Sequence, residues 1–381
     1  MPRVEINPVL LRWACERSGR SPEELARRFP RLEQWLEGEQ MPTFRQLEEF
    51  ARATHTSIGY FFLPQPPEEE LPIPDMRTMA AQEVMRPSPD LLDTLYLCQR
   101  RQAWYREYAL SAGHDPLEFV GSLTCETPPE VAAERIRQVL GLDSHDLRSQ
   151  YRDWADALRH LISRIEDAGV LVMVSGVVGN NNKRGLNPKE FRGFALTDDL
   201  APLIFVNGKD VKAAQMFTVA HETAHLWLGE TALSDAGVAS RPAQEIEKWC
   251  NAVAAEMLVP LRELRDVLSG EEPLAELDSL ARRFKVSRLV LLKRLLDAGF
   301  ISREEFQQAY SRELHRVERM TRSRGGNFYL TQEVRVSRRF VRALVANTLE
   351  GRTLYREAFQ LLGIKREQTF LRLGQRAGVT G

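Results

Sequence analysis

The chain has 381 residues, more than one hydrophobic core usually organises, so two to four domains are expected. Hydrophobic residues make up 43% of it and no apolar run approaches 18 residues, which excludes a membrane-spanning helix. The formal net charge is −1, Cys15, Cys98, Cys125 and Cys250 are scattered without a C-x-x-C pair, and Met1 to Glu5 does not begin a secretory signal, so a soluble cytoplasmic protein with reduced thiols is expected.

Residues 1–63 carry the rhythm of short amphipathic helices over Pro8–Arg17, Ser21–Phe29, Arg31–Leu36 and Thr43–Ala53. Ser21-Pro-Glu-Glu24 and Thr43-Phe-Arg-Gln46 are N-cap signals, and Gly19 and Gly38 are breaks. The runs Ser21–Ala26, Trp35–Gly38 and Pro42–Leu47 resemble the XRE-type helix-turn-helix. Only 12 steps separate Ala26 from Gly38, whereas such domains have about four more residues there, including those that read bases. Residues 1–70 hold nine Arg against 12 Glu, a net charge of −3, where a DNA-docking face needs clustered positive charge. DNA binding and a degenerate module kept for protein contacts both remain open, and the last two observations weigh toward the second.

Residues 64–87 read as a linker, with the stiff, acidic, Pro-rich Pro64–Pro74 extended rather than folded. Residues 88–135 form a helical connector, and helical character continues to 165. Leu91, Leu95, Cys98 and Gln102 share a face, and Trp104, Tyr105 and Tyr108 are core aromatics rather than a ligand box.

A core domain is expected over 136–265. Gly169–Val178, Glu190–Leu196 and Ala201–Asn207 read as strands, the last two joined by the turn Thr197–Leu200. The polar Gly179–Gly185 is either a loop bordering a cleft or a plain hairpin connection. Next comes an uninterrupted helix, Ala213–Leu228, containing His221-Glu222-Thr-Ala-His225. Histidines four apart stand on one helical face, so both imidazoles can reach one metal while Glu222 points toward the same site. By chance the motif arises in roughly one chain in a hundred of this length, and its apolar flanks and small inner residues raise it above that.

A catalytic zinc site needs a third protein ligand. The next helix, Glu245 to Pro260, offers Glu247, with Asn251 one turn on as a group that could orient an imidazole. Glu245 points about 160° away at helical pitch. Glu256, on the side of Cys250 and Val253, is the alternative ligand.

These residues resemble the ImmA/IrrE family of zinc metallopeptidases, whose pattern is H-E-x-x-H on one helix and, on the next, a Glu followed by small residues and an apolar run ending in Pro. The match is His221–His225 followed by Glu247–Pro260, with Cys250 and Val253 where the family usually has Ala and Phe. In that family an XRE-like domain often precedes the peptidase and continues as here through Gly59–Leu63 and Leu71–Arg77. The resemblance implies an α+β, predominantly helical protein, with a gluzincin-like core of two zinc helices on a small sheet, flanked by helical helix-turn-helix domains.

Residues 266–300 read as a helical unit in which Leu280–Leu295 has full helix-turn-helix spacing, a turn at Lys285-Val286 and a cap at Ser287. It binds DNA or braces its neighbour, the second being the simpler role. Residues 301–381 hold 16 Lys plus Arg against eight Glu, net +8, so the chain total hides a basic C-terminal domain. Arg338, Arg339, Arg342, Lys365 and Arg366, with Phe328 and Tyr329, suit nucleic acid or an acidic partner, and solvated helix faces are the plainer reading.

The expected function is that of a zinc metalloendopeptidase. His221, His225 and Glu247 hold Zn2+, which activates water and polarises the scissile carbonyl, and Glu222 moves the water's proton to the leaving amine. An exposed sheet edge would take an extended substrate as an added strand. The resemblance implies a partner that is a helix-turn-helix repressor or an antitoxin-type protein, in a stress, mobile-element or toxin-antitoxin setting. The alternative is a DNA-binding regulator whose zinc site is structural.

Overall fold

A computed structural model describes residues 3–69, 71–74, 87–142, 151–234, 241–268, 272–319 and 334–379. The described residues fall into two compact units, the first with residues up to 72 and 87–96, the second with 73–74 and the residues from 97 on. Phe328 and Tyr329, and most of the Asp75–Pro87 part of the expected linker, lie outside the described residues.

The first unit holds α1 (Pro8–Arg17), α2 (Pro22–Arg28), α3 (Leu32–Glu37), α4 (Phe44–Ala53) and a 3-10 turn over Ile58–Phe62. The starts of α1, α2 and α4 obey a local rule: Asn7 accepts from the Val9 amide, Ser21 from that of Glu24, and Thr43 and Gln46 form a reciprocal capping box. Leu10, Leu11, Trp35, Phe50 and Phe61 make the core, with Trp35 edge-on to Phe50 at 6.2 Å. The exposed side of α3 presents Glu33, Gln34 and Glu37.

In the second unit α5 (Pro89–Ser111, from Leu97 on), α6 (Pro129–Leu140) and α7 (Trp154–Asp167) precede a sheet of β1 (Leu171–Ser175), β2 (Gly193–Leu196), β3 (Leu203–Asn207) and β4 (Ala232–Ser234). The strand order is β1-β3-β2-β4, parallel between β1 and β3 and antiparallel elsewhere. Every residue of β1, β2 and β3 is buried, which explains their unbroken apolar runs.

One face of the sheet, through Val172, Ala195, Ile204 and Val206, joins a core shared with α8 (Lys212–Leu228) and α9 (Arg241–Leu258). That core runs from Leu123 to Ile301 and takes in α10 (Leu261–Val267), α11 (Leu277–Phe284) and α12 (Arg288–Asp297). The boundaries expected at 135/136 and 265/266 therefore separate no cores. The helix-turn-helix spacing at 280–295 is present, with Lys285 left-handed at φ 54° and Ser287 accepting from the Val290 amide, but its apolar face is spent on this core.

The basic tail also differs from a free-standing domain. Along α13 (Arg303–Arg319), Phe306 and Tyr310 pack against the same core. The helices α14 (Arg338–Leu349), α15 (Tyr355–Leu362) and α16 (Glu367–Ala377) attach through α5 to the other side of the sheet. Trp104 lies 5.4 Å edge-on to Phe340, Arg339 donates to the Tyr105 hydroxyl at 2.8 Å, and buried Arg101 donates to Leu361 O at 2.9 Å while touching Met173 of β1 at 3.5 Å. An apolar sheet with two faces needs two covers, and the tail supplies the second.

The C-terminal end of α9 is anchored by two buried arginines. Arg294 pairs with Glu256 and donates to Val259 O at 2.9 Å, and Arg137 donates to Met257 O at 3.4 Å and pairs with Glu263 at 3.2 Å. Removing one partner of a buried pair strands the other charge. Arg294→Met is expected to cost about 3–5 kcal/mol in chemical denaturation, and Arg294→Met with Glu256→Met to recover most of it. Equal loss in both variants would show that the pair is not the cause.

Candidate metal centre

Helix α8 is buried on nearly every side from Gln215 to Trp227, which suits its apolar flanks but encloses His221, Glu222 and His225 as well. Its end is set by Gly229, left-handed at φ 74°, whose Cα side lies so close to Gly121 that an added Cβ would come within 3.0 Å. Gly121 and Leu123 donate to the carbonyls of Leu226 and Trp227 at 3.0 and 2.9 Å, satisfying the last turn. The spacing of four brings the two imidazoles together, with Nε2 atoms 3.1 Å apart and ring centroids 4.8 Å apart.

The third group comes from α9, held against α6 by Trp249, whose indole donates to Thr127 O at 2.7 Å. Glu247, 3% exposed, points its carboxylate at both imidazoles, 3.2 Å from His221 Nε2 and 3.3 Å from His225 Nε2. Neither carboxylate oxygen meets an aligned hydrogen-bond donor, so two acceptor oxygens sit buried beside two ring nitrogens. Such a cluster is what a cation would complete. A tetrahedral ion with bonds of about 2.0–2.1 Å sets its ligand atoms about 3.3–3.4 Å apart. The imidazole nitrogens lie 3.1 Å apart and each faces a different Glu247 oxygen, at 3.2 and 3.3 Å, so the three residues offer one ligand atom each within 4.8 Å of one another. His221, His225 and Glu247 could therefore hold a metal ion.

The other candidates fall elsewhere. Glu256 is committed to Arg294 and accepts from the Leu261 amide at 3.2 Å, so it is not available as the ligand that the sequence left open. Glu245 is exposed. Asn251 is half-buried and makes no hydrogen bond to either imidazole; four residues beyond Glu247, it lies about 6 Å further along the helix axis. The Gly179–Gly185 segment is a hairpin connection, closed by a bridge between Val177 and Gly185.

Glu222 is fully buried beside the ligands, and its carboxylate rests on β2. A Cβ at Gly193 would come 2.8 Å from Glu222 Oε1, 2.6 Å from Thr218 Cγ2 and 2.8 Å from Phe205 O. Gly193 is thus part of the site, and sequence reasoning missed it. A glycine opening a strand beside bulky Phe194 was the available signal, because it marks a close approach.

Burial is the largest influence on Glu247 and would raise its carboxyl, yet the two imidazoles together hold it down to about 2. Burial also dominates at His225 and lowers it, outweighing the upward pull of Glu247. The resulting forms, carboxylate and neutral imidazole, are those that bind a metal.

Two histidines on one helix and a carboxylate from the next, beside a further buried glutamate, form a donor set that could hold a metal ion through three protein ligands. Residues 165–296, from the end of α7 to α12, match the family model described as the IrrE N-terminal-like domain of the M78 peptidases. The match supports the ImmA/IrrE family and a metallopeptidase-family function for this region. Residues 336–376, covering α14 to α16, match a domain of unknown function (DUF8813). No curated protein matches the chain. Among the described residues no helix is long and apolar enough to cross a membrane.

Gly193→Ala is expected to lower stability by about 1–3 kcal/mol, the usual cost of overpacking. Thermal unfolding checks this, and an unchanged midpoint would mean that β2 has room to spare. In the metal-free protein both depressed groups bind fewer protons folded than unfolded, so acid destabilises. His225 contributes stability that is lost as pH falls below 6.5, and Glu247 contributes stability present above 4.5 and lost as pH falls toward about 2. Unfolding midpoints in chelator should drop more steeply below pH 4.5 for wild type than for Glu247→Gln. Parallel slopes would remove Glu247 from the account.

Proposed function

We propose that the chain is a zinc-dependent metalloendopeptidase with a gluzincin-like core, in which His221, His225 and Glu247 are the zinc ligands and Glu222 is the general base. The observation that carries this reading is the convergence of two buried imidazole nitrogens 3.1 Å apart with the Glu247 carboxylate, one oxygen 3.2 or 3.3 Å from each, and Glu222 enclosed beside them. Two neutral imidazoles and one carboxylate suit zinc, and three protein ligands are the mark of a catalytic rather than a closed structural site. Zinc bound there supplies Lewis acidity toward a peptide carbonyl and lowers the pKa of water. Glu222 takes the proton from the attacking water and returns it to the leaving amine. Its backing on Gly193 limits the rotamers open to it, which keeps the base oriented.

Edge strand β4, antiparallel to β2 with Ser234 opposite Gly193, offers a main-chain template for an extended substrate. We assign as substrate a helix-turn-helix repressor or antitoxin-type protein in the cytoplasm, following the family resemblance. The first unit would serve as a degenerate XRE-like module for protein contact, supported by the acidic Glu33 and Glu37 on the exposed side of α3. Such a face repels a phosphate backbone.

Glu222→Gln is expected to retain zinc and lose about 10²–10⁴-fold in turnover, whereas Glu247→Gln loses zinc affinity first. Co-expression with the product of the neighbouring gene, read by mass spectrometry of cleaved termini, gives the activity. A partner that persists intact with both wild type and Glu222→Gln would sink the peptidase reading.

A further inference from the structure

Three stretches far apart in sequence meet away from the metal centre. Asn180, in the hairpin after β1, donates to Leu362 O at 3.2 Å and Gly363 O at 2.8 Å at the end of α15. Arg335, just before α14, donates to Asn180 Oδ1 at 3.3 Å. The hairpin is closed by the Val178 amide on Arg184 O at 3.0 Å. Beside it lies Lys209, whose Nζ is 3.2 Å from where a Cβ of Gly185 would stand.

The charge at this junction is predominantly positive, the acidic groups that border it being Glu166, buried against Ser337, and Asp210, next to Lys209. Residues 176–186, 335–343 and 362–366 themselves contain no Asp or Glu, and they carry Lys183, Arg184, Arg335, Arg338, Arg339, Arg342, Lys365 and Arg366, with Lys209 alongside. Lys183, Lys209, Lys365 and Arg366 are exposed. Arg335 is half-buried, its Nε is enclosed without a hydrogen-bond partner, and burial lowers its pKa. Gathering like charges and desolvating one of them costs free energy that an anion would offset.

Two kinds of polyanion carry such charge, and the apolar content separates them. Protein interfaces centre on buried aromatic or aliphatic anchors. Among the described residues none of the exposed large hydrophobic side chains falls in these three segments. Arg, Lys and Asn without apolar anchors are instead the groups that contact phosphate and sugar. We propose that this junction is a nucleic-acid-binding surface that engages the phosphate backbone without reading bases. It assigns a role to the α14–α16 region, and it stands independently of the peptidase reading.

Fluorescence anisotropy of the full-length, zinc-loaded protein with a labelled 20-nucleotide single-stranded DNA, its duplex and the RNA of the same sequence tests this. With about five phosphate contacts, affinity should fall roughly 100- to 500-fold between 50 and 200 mM salt. Lys183→Gln with Lys365→Gln and Arg366→Gln should weaken binding at 50 mM salt by about tenfold or more and flatten the log–log salt slope by about two to three. Arg27→Gln with Arg28→Gln and Arg31→Gln, in the first unit, should leave both unchanged. Circular dichroism and zinc content should match wild type in both variants. The preferred nucleic acid among the three identifies the source of the phosphate. No binding at 50 mM salt overturns the proposal, as does binding lost through the first-unit variant but not the junction variant. Displacement by poly-L-glutamate at equal charge concentration would move the site to an acidic protein and overturn it as well.

Discussion

Four ionisable side chains, His221, Glu222, His225 and Glu247, lie in the interior of this protein, none more than 5% exposed. Burying such groups without compensation costs several kcal/mol each, so the surrounding structure must bring them to one another or to a cation. Much of the architecture follows from that requirement. Helix α8 can be buried on nearly all sides because its polar groups share one face, α9 must cross it where Glu247 can reach, and β2 must be bare at Gly193 to admit the Glu222 carboxylate.

Holding α9 in place then becomes the task of elements outside the site. Trp249 ties it to the loop before α6, and Arg294 and Arg137 hold its far end through carbonyls and buried carboxylates. This explains why the helix-turn-helix spacing at 280–295 serves as a brace: Arg294 and the apolar side of α12 are turned toward α9 and the core. The sheet adds a second demand, because strands buried on both faces need cover on both. The C-terminal helices meet it together with α5, leaving their basic residues on the outside, where they join the hairpin after β1.

Much of the site was legible in the sequence because it depends on local periodicity. His221 and His225 share a face by helical pitch alone, and Glu247 was singled out by its position on the following helix. Asn251 was not placed against an imidazole, because helical phase specifies a direction but not how far along the axis a side chain can act. Gly193 and the Glu256–Arg294 pair were not legible, since each is defined by contacts across 29 or more residues of chain: Gly193 with Glu222, and Glu256 with Arg294. The N-terminal helices were read to within a residue or two from Ser21, Thr43 and Gly38, all of which act on their immediate neighbours.

What the sequence determined by itself is therefore local: where helices start and stop, which strands are apolar throughout, and that two histidines and a glutamate sit in metal-binding order. Hydrogen-bonded caps and helical pitch act over a few residues, so one sequence suffices to read them. Tertiary structure alone decided that Glu247 and not Glu256 meets the imidazoles, that Gly193 backs the buried Glu222 carboxylate, and that the basic tail covers the sheet rather than standing apart. Those outcomes depend on the requirement that buried charge find a partner and apolar surface find cover, and the groups that satisfy it are brought together only when distant segments pack.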